Sequence, residues 1–216
     1  MRSTDRDGVL ELPSSGQGPG VLVLHAWWGL NSFFKALCKR LARQGYVVFA
    51  PDLYHGETTA TIEGAKRLRS RLKQGLVEAE LGEAAEHLQG LKSVKGTGLG
   101  VIGFSLGAYF GLGLSIDLPR AIRAVVAFYG TRGGDYSKAR AAYLGHFAET
   151  DDWVAASGVR SLERALRKAG RPVTFHTYEG TGHWFFESDR AGAYDDRAAR
   201  LAWRRTTEFL HETLSR

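Results

Sequence analysis

The chain has little of what would place it outside a reducing compartment or across a membrane. It carries one cysteine, Cys38, in 216 residues, which excludes an intrachain disulfide framework. No apolar run reaches the roughly 18 residues that a membrane-spanning helix needs. The first residues, Met1 to Gly8, include Arg2, Asp5, Arg6 and Asp7 and lack the apolar centre of a secretory leader. The expectation is a cytoplasmic chain without a membrane partner. Proline is scarce as well, with five residues. There is no internal repeat or low-complexity segment, and Pro13 to Gly20 reads as a connecting loop. Cys38 falls with Phe34, Leu37 and Leu41 at helical spacing, so it reads as a buried structural thiol rather than a reactive one.

What is present fits one sizeable core. Hydrophobic residues make up 44% of the chain, ordinary for a single α/β domain over residues 1–216. The formal charge of +6 raises nucleic-acid binding as a possibility. The basic residues, however, are spread over several helical patterns, as in Arg67, Arg69, Arg71 and Lys73, then Arg160, Arg164, Arg167 and Lys168, then Arg197, Arg200, Arg204 and Arg205. No reading motif or aromatic-interleaved stripe accompanies them, so they read as solvated helix faces and no nucleic-acid partner is expected. A mild attraction for small anions remains, and whether Arg67, Arg69 or Arg71 touches a substrate stays open.

Short apolar or β-branched runs alternate with longer helical patterns. Strands are predicted at Val9–Leu12, Val21–Trp27, Tyr46–Pro51, Gly98–Phe104, Ala124–Tyr129, Ala141–Ala148 and Val173–Tyr178. Helices are predicted at about Ser32–Gln44, Thr59–Leu72, Leu76–Leu91, Ser105–Ser115, Ala155–Ala169 and Asp189–Leu214. This alternation implies an α/β fold with a mostly parallel central sheet and helices on both faces. In such sheets the chemistry gathers at the carboxyl ends of the strands. The ten or so residues from Gly130 to Arg140 leave no room for a large lid, so an open, shallow cleft is expected.

One strand end stands out. Gly103-Phe104-Ser105-Leu106-Gly107 follows an apolar strand and opens a helix. With 27 glycines, chance supplies about 0.2 copies of G-x-S-x-G in such a chain, so the context has to carry the reading. A strand, a sharp turn and a helix with serine at the turn is the nucleophile elbow of an α/β-hydrolase fold, and Ser105 is the candidate nucleophile. A serine hydroxyl needs a base, and the base needs an orienting acid. Of the seven histidines, His183 follows a strand, sits in Gly180-Thr181-Gly182-His183 and comes after the serine, as the fold requires. His87 and His211 lie in helical patterns, His146 and His176 lie inside strands, and His55 comes too early. His25 lies beside the Trp27 turn and has no assigned role beyond shaping it. Asp151 and Asp152 both follow the sixth predicted strand, and spacing alone does not choose between them. The oxyanion donors are expected from the backbone N–H groups of Leu106 and Trp27. Trp27, Trp28, Trp153, Trp184 and Phe185 flank these positions and would make the cleft aromatic, with Trp28 and Trp184 as candidate substrate contacts. No cofactor and no metal is implied.

The chain resembles the dienelactone hydrolase family along roughly residues 20 to 212. The matching residues are His25-Ala26-Trp27-Trp28-Gly29-Leu30-Asn31, Gly45 to Tyr54, Gly103 to Gly107, Ala124 to Gly130, Asp151 with Val154 three residues on, Gly182-His183, and Ala202-Trp203-Arg204-Arg205. The resemblance implies a triad of Ser105, Asp151 and His183, because the family's acid lies three residues before a valine. It implies hydrolysis of a carboxylic ester or lactone through an acyl-enzyme. Three positions depart from the family pattern. Ser105 stands where the founding enzymes carry cysteine, Ala26 where they carry a glutamate tied to that thiol, and Glu187 where they place an arginine that contacts the substrate carboxylate. Glu187 is therefore expected to line the substrate site and to repel an anion, favouring small neutral or aromatic substrates. The same apparatus would serve a peptidase or thioesterase, and a non-catalytic binding module is the reading outside enzymes. The expected partner is a small-molecule ester or lactone, and the expected assembly a monomer or homodimer.

Overall fold

The computed structural model describes residues 7–214. Seven strands form one sheet: β1 (Gly8–Glu11), β2 (Gly20–Leu24), β3 (Val47–Pro51), β4 (Leu99–Phe104), β5 (Ile122–Phe128), β6 (Ala142–Ala148) and β7 (Val173–Tyr178). Their spatial order is β1-β3-β2-β4-β5-β6-β7. Only β1 runs antiparallel, against β3, with Val9 opposite Ala50, and the remaining neighbours pair in parallel. Among the described residues there are six helices: α1 (Ser32–Ala42), α2 (Ile62–Ser70), α3 (Gln74–Gly90), α4 (Leu106–Asp117), α5 (Ala156–Lys168) and α6 (Asp196–Leu214).

The apolar strands explain the two covered faces. Successive side chains of a strand point to opposite sides, so Val21, Val23, Val48, Ile102, Phe104, Val126 and Phe128 enter one core, with Phe34 and Leu37 of α1 and Ala202 and Leu210 of α6. Leu22, Leu24, Phe49, Val101, Val125 and Ala127 enter the other, with Leu81 of α3, Leu112 of α4 and Leu162 of α5. A strand buried on both faces has no polar alternation, which is why these segments read as continuous apolar runs. Between β5 and β6 the described chain forms no helix, so no large lid covers the carboxyl ends of the strands. No helix among the described residues is long and apolar enough to cross a membrane.

Element boundaries depart from the sequence reading where local hydrogen bonds override propensity. β2 stops at Leu24, and Trp27 lies in the following turn, closed by the Gly29 N–H donating to Ala26 O at 3.2 Å. α2 starts at Ile62 because the Thr61 hydroxyl caps it, accepting from the Gly64 N–H. The largest difference is α6, which begins at Asp196 and not at Asp189. Residues 184–194 are folded into consecutive turns by the N–H groups of Glu187, Arg190 and Ala193, which donate to Trp184 O, Glu187 O and Arg190 O. Asp195 then caps the helix, its carboxylate accepting from the Ala198 N–H at 2.7 Å.

Candidate active site

Ser105 occupies the turn between β4 and α4 with φ +50° and ψ −106°, a conformation that costs an L-residue free energy and that the surroundings must hold. Its N–H donates to Phe128 O of β5 at 2.9 Å. The flanking glycines allow the bend. A Cβ at Gly103 would lie 2.4 Å from Gly107 O, and one at Gly107 would lie 2.1 Å from Leu24 O. Either would push α4 away from the sheet.

Three side chains from three strand ends form a continuous hydrogen-bonded chain. His183, after β7, places Nε2 3.0 Å from Ser105 Oγ and Nδ1 2.7 Å from Asp151 Oδ2. An ionised carboxylate only accepts, so Nδ1 carries the proton and Nε2 is free to accept from the serine. Asp151, after β6, is itself fixed: its Oδ1 accepts from the N–H groups of Trp153 and Val154, each at 2.8 Å. The His183 and Asp151 side chains are 3% and 7% exposed, so water scarcely competes for their bond. The neighbouring Asp152 is exposed and lines a second, smaller hollow with Thr150, Thr181 and one edge of His183. Geometry thus separates the two adjacent acids that spacing left equivalent.

Ser105 and His183 open onto a cleft of about 850 Å³. Leu106 and Trp27 line it too. Leu106 is the first residue of α4, whose N–H finds no acceptor inside the helix. Aromatic rings form one wall: Trp27 to Trp153 at 4.8 Å, Trp153 to Trp184 at 5.5 Å and Trp27 to Trp184 at 6.1 Å between centroids. Lys66, Arg69 and Ser70 of α2 line the cleft as well. Of the three arginines left open, only Arg69 lines it; Arg71 pairs with Glu57 at 2.6 Å, and Arg67 is exposed elsewhere on α2.

Two expected substrate contacts are not at the cleft surface. Trp28 is 2% exposed and packs beneath Trp27 and Trp184, with the Arg190 guanidinium 3.8 Å above its ring. Glu187 is fully buried. Its Oε1 accepts from the Tyr129 hydroxyl at 2.7 Å, and burial pushes its carboxyl up to about 8. It neither faces the cleft nor repels an anion there at neutral pH. The expectation came from the resemblance, which sets a substrate-contacting arginine at this position; here the turn of residues 184–187 directs the side chain inward, onto Tyr129.

His25 joins two loops. Its Nδ1 donates to Ala26 O at 2.6 Å and its Nε2 accepts from the Leu53 N–H at 3.2 Å, tying the Trp27 turn to the loop after β3. Burial holds its pKa below the ordinary imidazole value, consistent with a neutral ring. Burial pushes the Cys38 thiol up to about 12, in keeping with a structural role. His146 is buried away from the cleft between Tyr178 and Thr206. Among the described residues no cluster of His, Cys, Asp or Glu has the arrangement of a metal site. Tyr129 and Lys66 line the cleft without having been singled out from sequence. Tyr129 directly follows β5, and that strand-end position was the signal available.

A sequence model described as the dienelactone hydrolase family matches residues 7–214. "Protein usf" of Aquifex pyrophilus is 30% identical over 96% of this chain and 94% of its own length. A protein of Aquifex aeolicus named "Putative carboxymethylenebutenolidase" is 28% identical over 89% of this chain and 87% of its own. Among solved structures, a dienelactone hydrolase-like promiscuous phosphotriesterase, P91, from metagenomic libraries superposes with a TM-score of 0.80 at 22% identity, covering 94% of this chain and 88% of that one. The dienelactone hydrolase of Anabaena variabilis does so with a TM-score of 0.68 at 20% identity, over 96% and 91%.

Proposed function

The chain belongs to the dienelactone hydrolase family, and from that premise we propose that it hydrolyses small carboxylic esters or lactones through a serine acyl-enzyme. The observation that carries the reading is the unbroken chain Ser105 Oγ, His183 Nε2, His183 Nδ1 and Asp151 Oδ2, with links of 3.0 and 2.7 Å, at the floor of an open cleft. Ser105 attacks the carbonyl carbon while His183 takes the hydroxyl proton. Asp151 keeps the imidazole in the right tautomer and stabilises the imidazolium that forms. The N–H groups of Leu106 and Trp27 hold the negative oxygen, each such donor being worth about 10²- to 10³-fold in rate. The imidazolium then protonates the leaving alkoxide. Water, activated by the same imidazole, releases the acid and restores Ser105.

The substrate class follows from the walls. Trp27, Trp153 and Trp184 favour a flat apolar or aromatic group. A preference for neutral over anionic substrates rested on Glu187 and on the clustered aromatic rings; the burial of Glu187 removes the first ground and leaves the second. Lys66 and Arg69, which also line the cleft, would accept a carboxylate. The test is fluorophosphonate labelling with site mapping, run beside an ester and lactone panel. Label on Ser105 together with turnover of p-nitrophenyl acetate supports the reading. Absence of both would mean a non-catalytic binding module, and cleavage confined to peptides or thioesters would move the reaction class.

A further inference from the structure

Against the imidazole, two buried side chains that the chemistry above does not use, one of them also lining the cleft, join the base-carrying loop to β5. Tyr129 directly follows β5 with φ +36°, a strained value for a residue with a side chain. Its N–H donates to His146 O of β6 at 2.8 Å. Its ring lies 4.8 Å from the His183 ring, centroid to centroid. Its hydroxyl donates to Glu187 at 2.7 Å. The residue before it, Phe128, accepts the Ser105 N–H. The nucleophile and the base are therefore both anchored to consecutive residues at the end of one strand.

The surroundings of Glu187 are unusual for a carboxyl group. Its Oε2 is buried with no hydrogen-bond partner. Asp189 and Arg190, from its own turn, are the charged groups acting on it, and Arg190 lies beyond ion-pair distance with its guanidinium over Trp28. Asp189 and Asp151 also act on Tyr129. We propose that Glu187 is a positioning residue for His183, acting through Tyr129: the pair sets the imidazole against Ser105 and, once Glu187 is ionised, turns the Tyr129 ring into a better partner for the imidazolium. The inference rests on the serine reading above.

The physical argument is electrostatic. When Ser105 gives up its proton, positive charge appears on a ring packed against Tyr129, and an aromatic ring attracts a cation. A carboxylate bound to the phenol strengthens that attraction in a site from which water is excluded, whereas a neutral carboxyl adds little. Burial places the change of charge at about pH 8, inside the range over which an esterase is assayed.

The test is the pH profile of kcat/KM for p-nitrophenyl acetate between pH 6 and 10, corrected for spontaneous hydrolysis. Wild type should show a second step near pH 8, above the main rise at lower pH. Glu187→Gln keeps the acceptor for the Tyr129 hydroxyl and cannot ionise. It should match wild type at pH 6.5 and fall about tenfold below it at pH 9.5. Tyr129→Phe keeps the ring and cuts the link, so it should lose the second step too, and it carries the test if Glu187→Gln fails to fold. Ser105→Ala separates the two claims. If it is inert and Glu187→Gln tracks wild type at every pH, the serine reading stands and the role of Glu187 is overturned. If Ser105→Ala remains active, the serine reading fails and the inference fails with it.

Discussion

Asp151 and Asp152 show how much a single side-chain direction decides. They are adjacent in sequence, yet one accepts three hydrogen bonds inside the site while the other lies exposed. Asp151→Asn should lower kcat by about 10⁴-fold, because the imidazole loses its orienting charge and its tautomer; Asp152→Asn should change it less than threefold or so. Steady-state kinetics on p-nitrophenyl acetate checks both. Glu187 bears on stability as well as rate. Its carboxyl sits at about 8 in the folded chain against 4.5 in an exposed one. The folded state therefore holds a proton that the unfolded state releases, and stability falls as pH rises from about 4.5 to about 8. The loss is at most roughly 5 kcal/mol for such a difference. Glu187→Gln should therefore melt at the same temperature as wild type at pH 5 and at a higher temperature at pH 9, measured by calorimetry. In the cleft lining, Arg69→Ala should lower kcat/KM for a lactone carboxylate by about 3- to 10-fold more than for its methyl ester, the range expected of one partly screened charge.

At the scale of elements, the decisive contact is between α4 and the end of β2. Gly107 brings the helix start against Leu24 O and His25 O, where an added Cβ would meet backbone at 2.1 and 2.7 Å. Backbone cannot step aside as a side-chain tip can, so Gly107→Ala should cost about 1–3 kcal/mol or more in urea denaturation. Activity should fall further than stability, because Leu106 and Trp27 would separate. Gly133→Ala, with open space around its Cβ position, is the control and should change neither appreciably. The same scale shows where the sequence was readable. β7 was predicted with the bounds it has, and α5 within a residue at either end, because an alternating run of β-branched and aromatic residues and an amphipathic repeat declare themselves locally. The start of α6 was not readable, because the N–H groups of Arg190, Ala193, Tyr194 and Asp195 are engaged in turns toward residues 185–190, which local composition does not reveal.

For the whole molecule, the formal charge of +6 and the two cations that line the cleft should steer anions toward it. The kcat/KM of an anionic lactone should therefore fall about twofold or more between 20 and 300 mM salt, while that of its neutral methyl ester stays level. Stopped assays at varied ionic strength distinguish the two. The sequence by itself determined the α/β architecture, the serine at the end of β4 and the order of the serine, acid and base along the chain. Each of these follows from local periodicity, local turn chemistry or chain order, and needs no knowledge of what packs across the sheet. Tertiary structure decided what depends on direction: which of two adjacent acids meets the imidazole, that Arg69 and not Arg67 or Arg71 lines the cleft, and that Trp28 and Glu187 turn inward. Glu187 is the clearest case, because one turn of backbone after the base converts an expected surface charge into a buried carboxyl bound to Tyr129, and burial in turn alters its charge.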